Sequence, residues 1–254
     1  MTQDLCQHIE HAAQILSKAK RVAALTGAGI SAESGLATFR GAGGLWEGQR
    51  VEDVATPRAF RRDPALVWRF YNMRRANLAS VRPNPGHEAL VDLERRLGPD
   101  AFTLVTQNVD GLHRAAGSRN VLEIHGTLRR VRCSGCDAVE DRGTEALADL
   151  PHCTECNALL RPDVVWFEEM LPQDLWRQAE EAAQACDCFL VIGTSAIVYP
   201  AAGLVESARI NGAAIIEVNL TATPASSQAD VVLLGPSGTV LPALVERLAH
   251  FPVY

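Results

Sequence analysis

Two C-x-x-C knuckles, Cys133–Cys136 and Cys153–Cys156, constrain this chain more than any other feature, with residues 137–152 lying between them. Four thiolates at this spacing make a complete tetrahedral zinc site. A set of four protein ligands leaves no position for water, so the metal it predicts is structural. The competing readings are a redox dithiol or buried free cysteines. Residues 131–163 show little apolar periodicity. A segment of that kind cannot build a core of its own and needs a staple. His152 adjoins a ligand and reads as a bystander. A zinc ribbon alone points to nucleic acid, but the net charge of -6 argues against it, because such domains are usually basic.

Outside this segment the pattern alternates. Short apolar runs occur at 21–26, 102–106, 121–124, 188–192, 214–218 and 230–234. Helical patterns occur at 86–97, 173–185, 200–211 and 240–250. Short continuous apolar runs suit strands buried on both faces. Their alternation with helices predicts an α/β fold, a Rossmann-like parallel sheet with helices on both faces. Residues 45–83, rich in arginine and aromatics, read as helical with no strand. The expected division is a large domain from 1–44, 84–130 and 164–254. A small lobe would combine a helical module, 45–83, with a zinc module, 131–163.

Apolar residues form 47% of the 254, enough for a sizeable core. No apolar run reaches the roughly 18 residues of a membrane span. The first residues, MTQDLCQHIEHAAQIL, are amphipathic and mixed in charge, unlike a secretory or transit leader. A reducing, cytoplasmic location is therefore expected, where the seven cysteines stay out of disulfides. Cys6, Cys186 and Cys188 read as small core residues.

The first strand runs into Thr26-Gly27-Ala28-Gly29-Ile30-Ser31-Ala32-Glu33, a G-x-G-x-x-A turn. Glycines there let a backbone approach a pyrophosphate, although a tight strand–helix turn explains them too. The dehydrogenase fingerprint also needs an acid at a strand end roughly 20 residues on. That region, LATFRGAGGLWEGQ, is a loop. Hydride transfer is thereby disfavoured, and Arg40 is placed to meet phosphate. Polar clusters follow other strands: Gln107-Asn108-Val109-Asp110, His125-Gly126, Gly193-Thr194-Ser195, and Asn219. Each alone reads as a helix N-cap. Together they lie where open α/β sheets bind ligands, beyond the carboxyl ends of the strands.

The segments GAGISAESGLATFR, TQNVDGLH, EIHG, the two C-x-x-C pairs, VVWF and GTSAIVYPAA occur in this order from residue 27 to 202. Together they resemble the sirtuins, NAD-dependent protein deacylases. The resemblance implies a Rossmann-like domain, a small lobe, one structural zinc and NAD as co-substrate. It implies an NAD pocket at Gly27, Ala28, Gly29, Ile30, Ser31, Glu33, Thr38, Phe39, Arg40 and Trp46. Gln107, Val109 and Asp110 would lie against the nicotinamide half, with Asn108 ordering a water near the reacting carbon. Gly193, Thr194, Ser195, Asn219 and Ser237 would hold the adenosine half.

His125 is the implied catalytic base, since an imidazole with an unperturbed pKa of roughly 6.5 can take a proton from a ribose hydroxyl. In the family's reaction the acyl oxygen attacks the ribose carbon that carries nicotinamide. Nicotinamide leaves, the acyl group ends on ADP-ribose, and the lysine amine is freed. His8, His11 and His250 read as surface residues. His113 reads either as a support for the Gln107–Asp110 cluster or as a capping or packing residue.

Val164-Val165-Trp166-Phe167 forms an extended apolar run. In the family its edge pairs with the substrate backbone as an added strand. The branch this chain resembles usually has glycine next, where this chain has Glu168. A backbone that needs glycine there would be strained; otherwise the carboxylate would favour basic peptides. Tyr71 and Arg74, three positions apart, share one helix face. A phenol and a guanidinium together can clamp a carboxylate, although a core tyrosine beside a surface arginine is the simpler reading. In the family this pair marks the class III branch, which prefers succinyl-, malonyl- or glutaryl-lysine. Mono-ADP-ribosyl transfer to protein, sharing the NAD cleavage, is the alternative activity. The expected partners are acylated-lysine proteins or peptides, with no nucleic acid, no membrane and a monomeric chain.

Overall fold

The computed structural model describes residues 2–37, 45–46 and 49–251. The chain begins with α1 (Gln3–Leu16), β1 (Val22–Thr26) and α2 (Ala28–Ala32). The first insert holds β2 (Leu45–Trp46), β3 (Gln49–Arg50), α3 (Val51–Val54), α4 (Pro57–Arg62) and α5 (Pro64–Ser80). Then come α6 (Pro85–Leu97), β4 (Phe102–Thr106), α7 (Leu112–Ala116) and β5 (Val121–Glu123). The cysteine segment carries β6 (Gly126–Cys133), β7 (Val139–Asp141) and β8 (Leu160–Val164). The last part holds α8 (Gln173–Ala185), β9 (Cys188–Ile192), α9 (Gly203–Ile210), β10 (Ala214–Asn219), β11 (Val231–Leu234) and α10 (Ser237–Leu248).

Six strands form one parallel sheet in the order β11-β10-β9-β1-β4-β5. The five residues of β1 are all buried, as a central strand covered on both faces must be. Val22 and Ala24 join one core with Leu16, Leu90 and Leu244, residues of α1, α6 and α10. Ala23 and Leu25 join the opposite core with Ala183 and Leu204, residues of α8 and α9. Alternate side chains of one strand thus hold helices on opposite faces. From β1 the chain builds outward through β4 and β5, then returns beside β1 with β9. The switch point between β1 and β9 is where such sheets open a binding crevice.

The second sheet is antiparallel, in the order β7-β6-β8. It packs on α4 and α5 through a third core containing Phe60, Trp68, Tyr71, Leu128, Leu160 and Trp166. Asp63 caps α5 by accepting the Leu66 amide at 2.9 Å, with Pro64 in the first turn. Arg75 is 1% exposed, although it is charged. Its guanidinium donates to the carbonyls of Glu145 and Arg142, both at 3.0 Å, and to that of Leu128. One arginine thereby bolts the helical insert to β6 and to the loop after β7.

Several expectations are corrected. The 45–83 stretch is not free of strands, because β2 and β3 pair Leu45 with Arg50 and Trp46 with Gln49. The helix expected from 200 starts only at Gly203. The last helix starts at Ser237, earlier than its apolar pattern, because the Glu33 carboxylate accepts the Gly238 amide at 2.8 Å. Cys6 is exposed, ahead of the buried stripe Ile9, Ala12, Ala13 and Leu16, whereas Cys186 and Cys188 are buried. No helix among the described residues is long and apolar enough to cross a membrane.

Candidate active site and zinc centre

Register aligns the polar clusters. Thr26 pairs with Thr106 on one side and Ile192 on the other, so the loops after β1, β4 and β9 leave the sheet at one level. Gly27 and Gly29 serve the packing of these loops on one another. A Cβ on Gly27 would sit 2.7 Å from Thr194 Cβ, and one on Gly29 would sit 2.6 Å from the Gly193 carbonyl oxygen. The Gly29 amide is also engaged, donating to Gly193 O at 2.7 Å.

Around this junction the polar side chains form one network. Gln107 Nε2 donates to Thr194 Oγ1 at 2.9 Å, and Asn219 Nδ2 to Thr194 O at 2.8 Å. Asn108 Nδ2 bonds Gly27 O at 3.0 Å and Ser31 Oγ at 3.2 Å. Ser31 Oγ donates to Asp110 Oδ2 at 2.8 Å, and the Leu112 amide donates to Asp110 Oδ1 at 2.9 Å. Burial raises the Asp110 carboxyl above its ordinary range, and these donors and the Arg74 charge oppose the rise. Ser195 and Ser237 lie at the same end of the sheet, after β9 and at the start of α10. Ile30 is a fully buried core side chain, and Val109 packs on the third core. Thr38, Phe39, Arg40 and the Trp46 side chain lie outside the described residues.

His125 stands where the chain passes from β5 of the parallel sheet to β6 of the antiparallel one. Only glycine can follow it: Gly126 has φ +79, and a Cβ there would sit 2.1 Å from Asp163 O. His125 Nδ1 lies 3.0 Å from Gln107 O. A carbonyl only accepts, so Nδ1 carries the proton and Nε2 keeps its lone pair. Burial lowers the His125 pKa, with the Gln107 bond opposing it. The result is a neutral, oriented base.

His87 carried no role in the sequence, yet it is fully buried against His113, ring centroids 4.8 Å apart. His87 Nδ1 accepts the Asn84 amide at 3.3 Å, and Nε2 lies 3.5 Å from Ser31 Oγ. His113 Nε2 lies 2.9 Å from Thr26 Oγ1. Burial pushes His87 down to about 4 and His113 to about 3, so both are neutral near pH 7. The available signal was Asn84-Pro85-Gly86-His87, a capping box with histidine at its third helical position. His8, His11 and His250 are exposed.

Tyr71 and Arg74 do come together, with Arg74 Cζ 5.7 Å from the Tyr71 ring centroid. The Tyr71 oxygen accepts the Trp166 indole N–H at 2.9 Å. Burial raises the phenol pKa, so its O–H stays a donor. The extended run ends earlier than expected: β8 stops at Val164. The next three amides are already engaged, Val165 with His125 O at 2.9 Å, Trp166 with the Glu169 carboxylate at 2.9 Å, and Phe167 with Ala55 O at 3.0 Å. Trp166 is buried between Phe60, Tyr71 and Arg161. Glu168 has φ +74, so the position does demand a glycine-like backbone.

Cys133, Cys136, Cys153 and Cys156 bring their sulfurs within 4.8 Å of one another, with none in a disulfide. Two separations are 3.4 and 3.8 Å. A tetrahedron of Zn–S bonds of about 2.3 Å needs sulfurs about 3.8 Å apart, so the donor set fits zinc. Gly135 and Asn157 shape the two knuckles: a Cβ on Gly135 would strike Ala158 Cβ at 2.7 Å, and Asn157 takes φ +60. His152 stays out of the cluster, its Nδ1 2.8 Å from Asn157 O.

Comparison with known proteins agrees with this geometry. NAD-dependent protein deacylase 2 of Pyrobaculum aerophilum is 49% identical over 238 residues, covering 93% of this chain and 94% of that protein. The mitochondrial NAD-dependent protein deacylase sirtuin-5 of Danio rerio is 42% identical, covering 96% of this chain and 87% of that one. A solved complex of a Sir2 homologue with NAD superposes with a TM-score of 0.86 at 42% identity, covering 98% of this chain and 94% of that one. A Sir2 structure bound to a myristoylated histone peptide gives 0.78 at 36% identity, covering 96% and 97%. The Sir2 family pattern matches residues 27–200. On its fold, its aligned strand-end residues and these relatives, the chain belongs to the Sir2 family.

Proposed function

We propose that this chain is an NAD-dependent protein-lysine deacylase with an acyl pocket suited to carboxylate-bearing acyl groups. The observation that carries the proposal is His125, fixed by Gln107 O through Nδ1, with no hydrogen bond at Nε2 among the described residues. The same Gln107 reaches through its side chain to Thr194 across the switch point. The relatives named as NAD-dependent protein deacylases support the reaction class, and the Sir2 homologue complexed with NAD supports the co-substrate.

In this reading NAD lies across β1 and β9, with its nicotinamide half toward Asn108, Asp110 and His125. Thr194, Asn219 and Ser237 hold the adenosine half. His125 Nε2 would take the proton of a ribose hydroxyl as that oxygen adds to the acyl carbon; the C–N bond to lysine then breaks, the amine leaving with a proton, and one water completes the acyl ester on ADP-ribose. The Val165 carbonyl accepts no hydrogen bond among the described residues, which leaves it for the amide N–H of an acyl-lysine. Tyr71 O–H and the Arg74 guanidinium would bind a distal carboxylate of the acyl group. Zinc at the four cysteines would be structural and far from the proton transfer in role.

We further read the chain as a monomer with no nucleic-acid partner, consistent with its net charge of -6. The large domain is read as 1–44, 84–130 and 164–254, with 45–83 and 131–163 as the small lobe; β6 crosses the boundary at 130, since its residues 126–130 belong to a strand of the antiparallel sheet. The test is incubation with NAD and one peptide carrying acetyl- or succinyl-lysine. Nicotinamide released only with acyl peptide, together with an acyl-ADP-ribose mass, is the expected result. ADP-ribose attached to protein would instead identify a transferase.

A further inference from the structure

Residues 166–169 form a turn closed by the Glu169 amide on Trp166 O at 3.1 Å. Glu168 is its third residue, at φ +74, the position where a type II turn favours glycine. The two neighbouring glutamates are employed differently. Glu169 is held inside, its carboxylate taking Arg161 at 2.6 and 2.8 Å and the Trp166 amide at 2.9 Å. Glu168 is 47% exposed, and its partner Arg58 is 67% exposed, with a single Nη2–Oε1 contact between them. A pair this exposed is weak and screened by salt, so another cation can replace Arg58.

The amides of residues 165–167 are already bonded, so a peptide lying here would be read by side chains and by carbonyls. Phe167 and Met170, on either side of the glutamates, are exposed apolar residues. The Phe167 amide bond to Ala55 O ties the turn to the helical insert, so Arg58 stays near Glu168 whether or not the pair is formed. The nearby acid Asp53 is bound by Arg62 at 2.6 Å. Among the described residues Glu168 is thus the carboxylate of this turn that is available for exchange.

We infer that Glu168 is a specificity subsite for a lysine or arginine flanking the acylated lysine, and that Arg58 is the resident counter-ion such a substrate displaces. The inference rests on the reading of this turn as the edge along which an acyl-lysine peptide lies. The strain at φ +74 and the exposed carboxylate occur together at Glu168, so the two alternatives posed by the sequence do not exclude one another.

The experiment compares two acyl-lysine peptides that differ only in a flanking arginine or glutamine. The ratio of their kcat/KM values is read within each variant, so a general loss of activity cancels. The native chain should favour the arginine peptide roughly two- to fivefold, the range an exposed ion pair supports. The preference should lie in KM and shrink at high salt. Glu168→Gln should bring the ratio to about one, and Arg58→Gln should raise it by removing the competitor. A ratio unchanged by Glu168→Gln, or lowered by Arg58→Gln, overturns the inference alone. No nicotinamide release with either peptide overturns the deacylase proposal and this inference with it.

Discussion

The Trp166 indole N–H donates to the Tyr71 phenol oxygen at 2.9 Å, joining the turn after β8 to the middle of α5. Both rings are buried, Tyr71 at 1% and Trp166 at 3% exposure. The bond satisfies the indole, and the phenol hydrogen has no acceptor among the described residues. The proposed acyl pocket would therefore draw its polar end from two segments distant in sequence.

Substituting this end should change acyl preference more than overall activity. Arg74→Met removes the charged half of the proposed carboxylate clamp, and loss of a buried charge-assisted partner costs about 2–5 kcal/mol. Desuccinylation kcat/KM should fall by tens- to thousands-fold, and deacetylation by much less. Equal losses on acetyl and succinyl versions of one peptide would rule out the clamp.

Tyr71→Phe should also lower stability, because it strands the Trp166 indole N–H. A buried unsatisfied donor costs about 1–3 kcal/mol. Urea unfolding of the variant should show a lower midpoint at an unchanged slope. An unchanged midpoint would mean that the indole finds another acceptor.

Activity should follow the neutral form of His125. Its pKa is lowered by burial, so the acid limb of the kcat/KM profile should lie below the ordinary histidine value of about 6.5. Activity rises with pH through that limb and then levels. A limb above 6.5 would contradict the neutral, buried base.

Stability should fall on the acid side through His87 and His113. Both have folded pKa values below the unfolded one, at about 4 and about 3. Between those values and 6.5 the unfolded chain binds more protons, so stability rises with pH across that window and is lost as pH falls. Each group contributes a slope of about 1.4 kcal/mol per unit. Replacing His113 with Asn should flatten the wild-type slope between pH 6.5 and 4; an unaltered slope would place the proton uptake elsewhere.

Arg75→Met should destabilise the junction between the helical insert and β6 by about 3 kcal/mol or more, since it removes a buried cation and leaves its carbonyl acceptors unpaired. Hydrogen exchange should increase first at residues 128 and 142–147. Uniform protection in the variant would mean that packing alone holds these modules together.

The strands were legible because each carries its own signal. Runs such as 102–106 and 188–192 match β4 and β9, since a strand buried on both faces must be apolar throughout. Helix ends were less legible: α10 begins early because Glu33, far away in sequence, caps Gly238. Cys6 is exposed and not a core residue; residue type alone does not say whether its turn of helix is covered.

By itself the sequence determined the alternation that makes the parallel sheet, the four-thiolate zinc set and the polar residues that follow each strand. These are local properties of residue type, period and spacing. Tertiary structure alone decided which of those residues meet: His125 against Gln107 O, His87 against His113, and Trp166 on Tyr71. It also decided that Arg75 is a buried bolt and that Glu168 sits at φ +74. The physical reason is that such contacts are set by strand register and helix packing, which bring together groups 95 positions apart in the case of Tyr71 and Trp166.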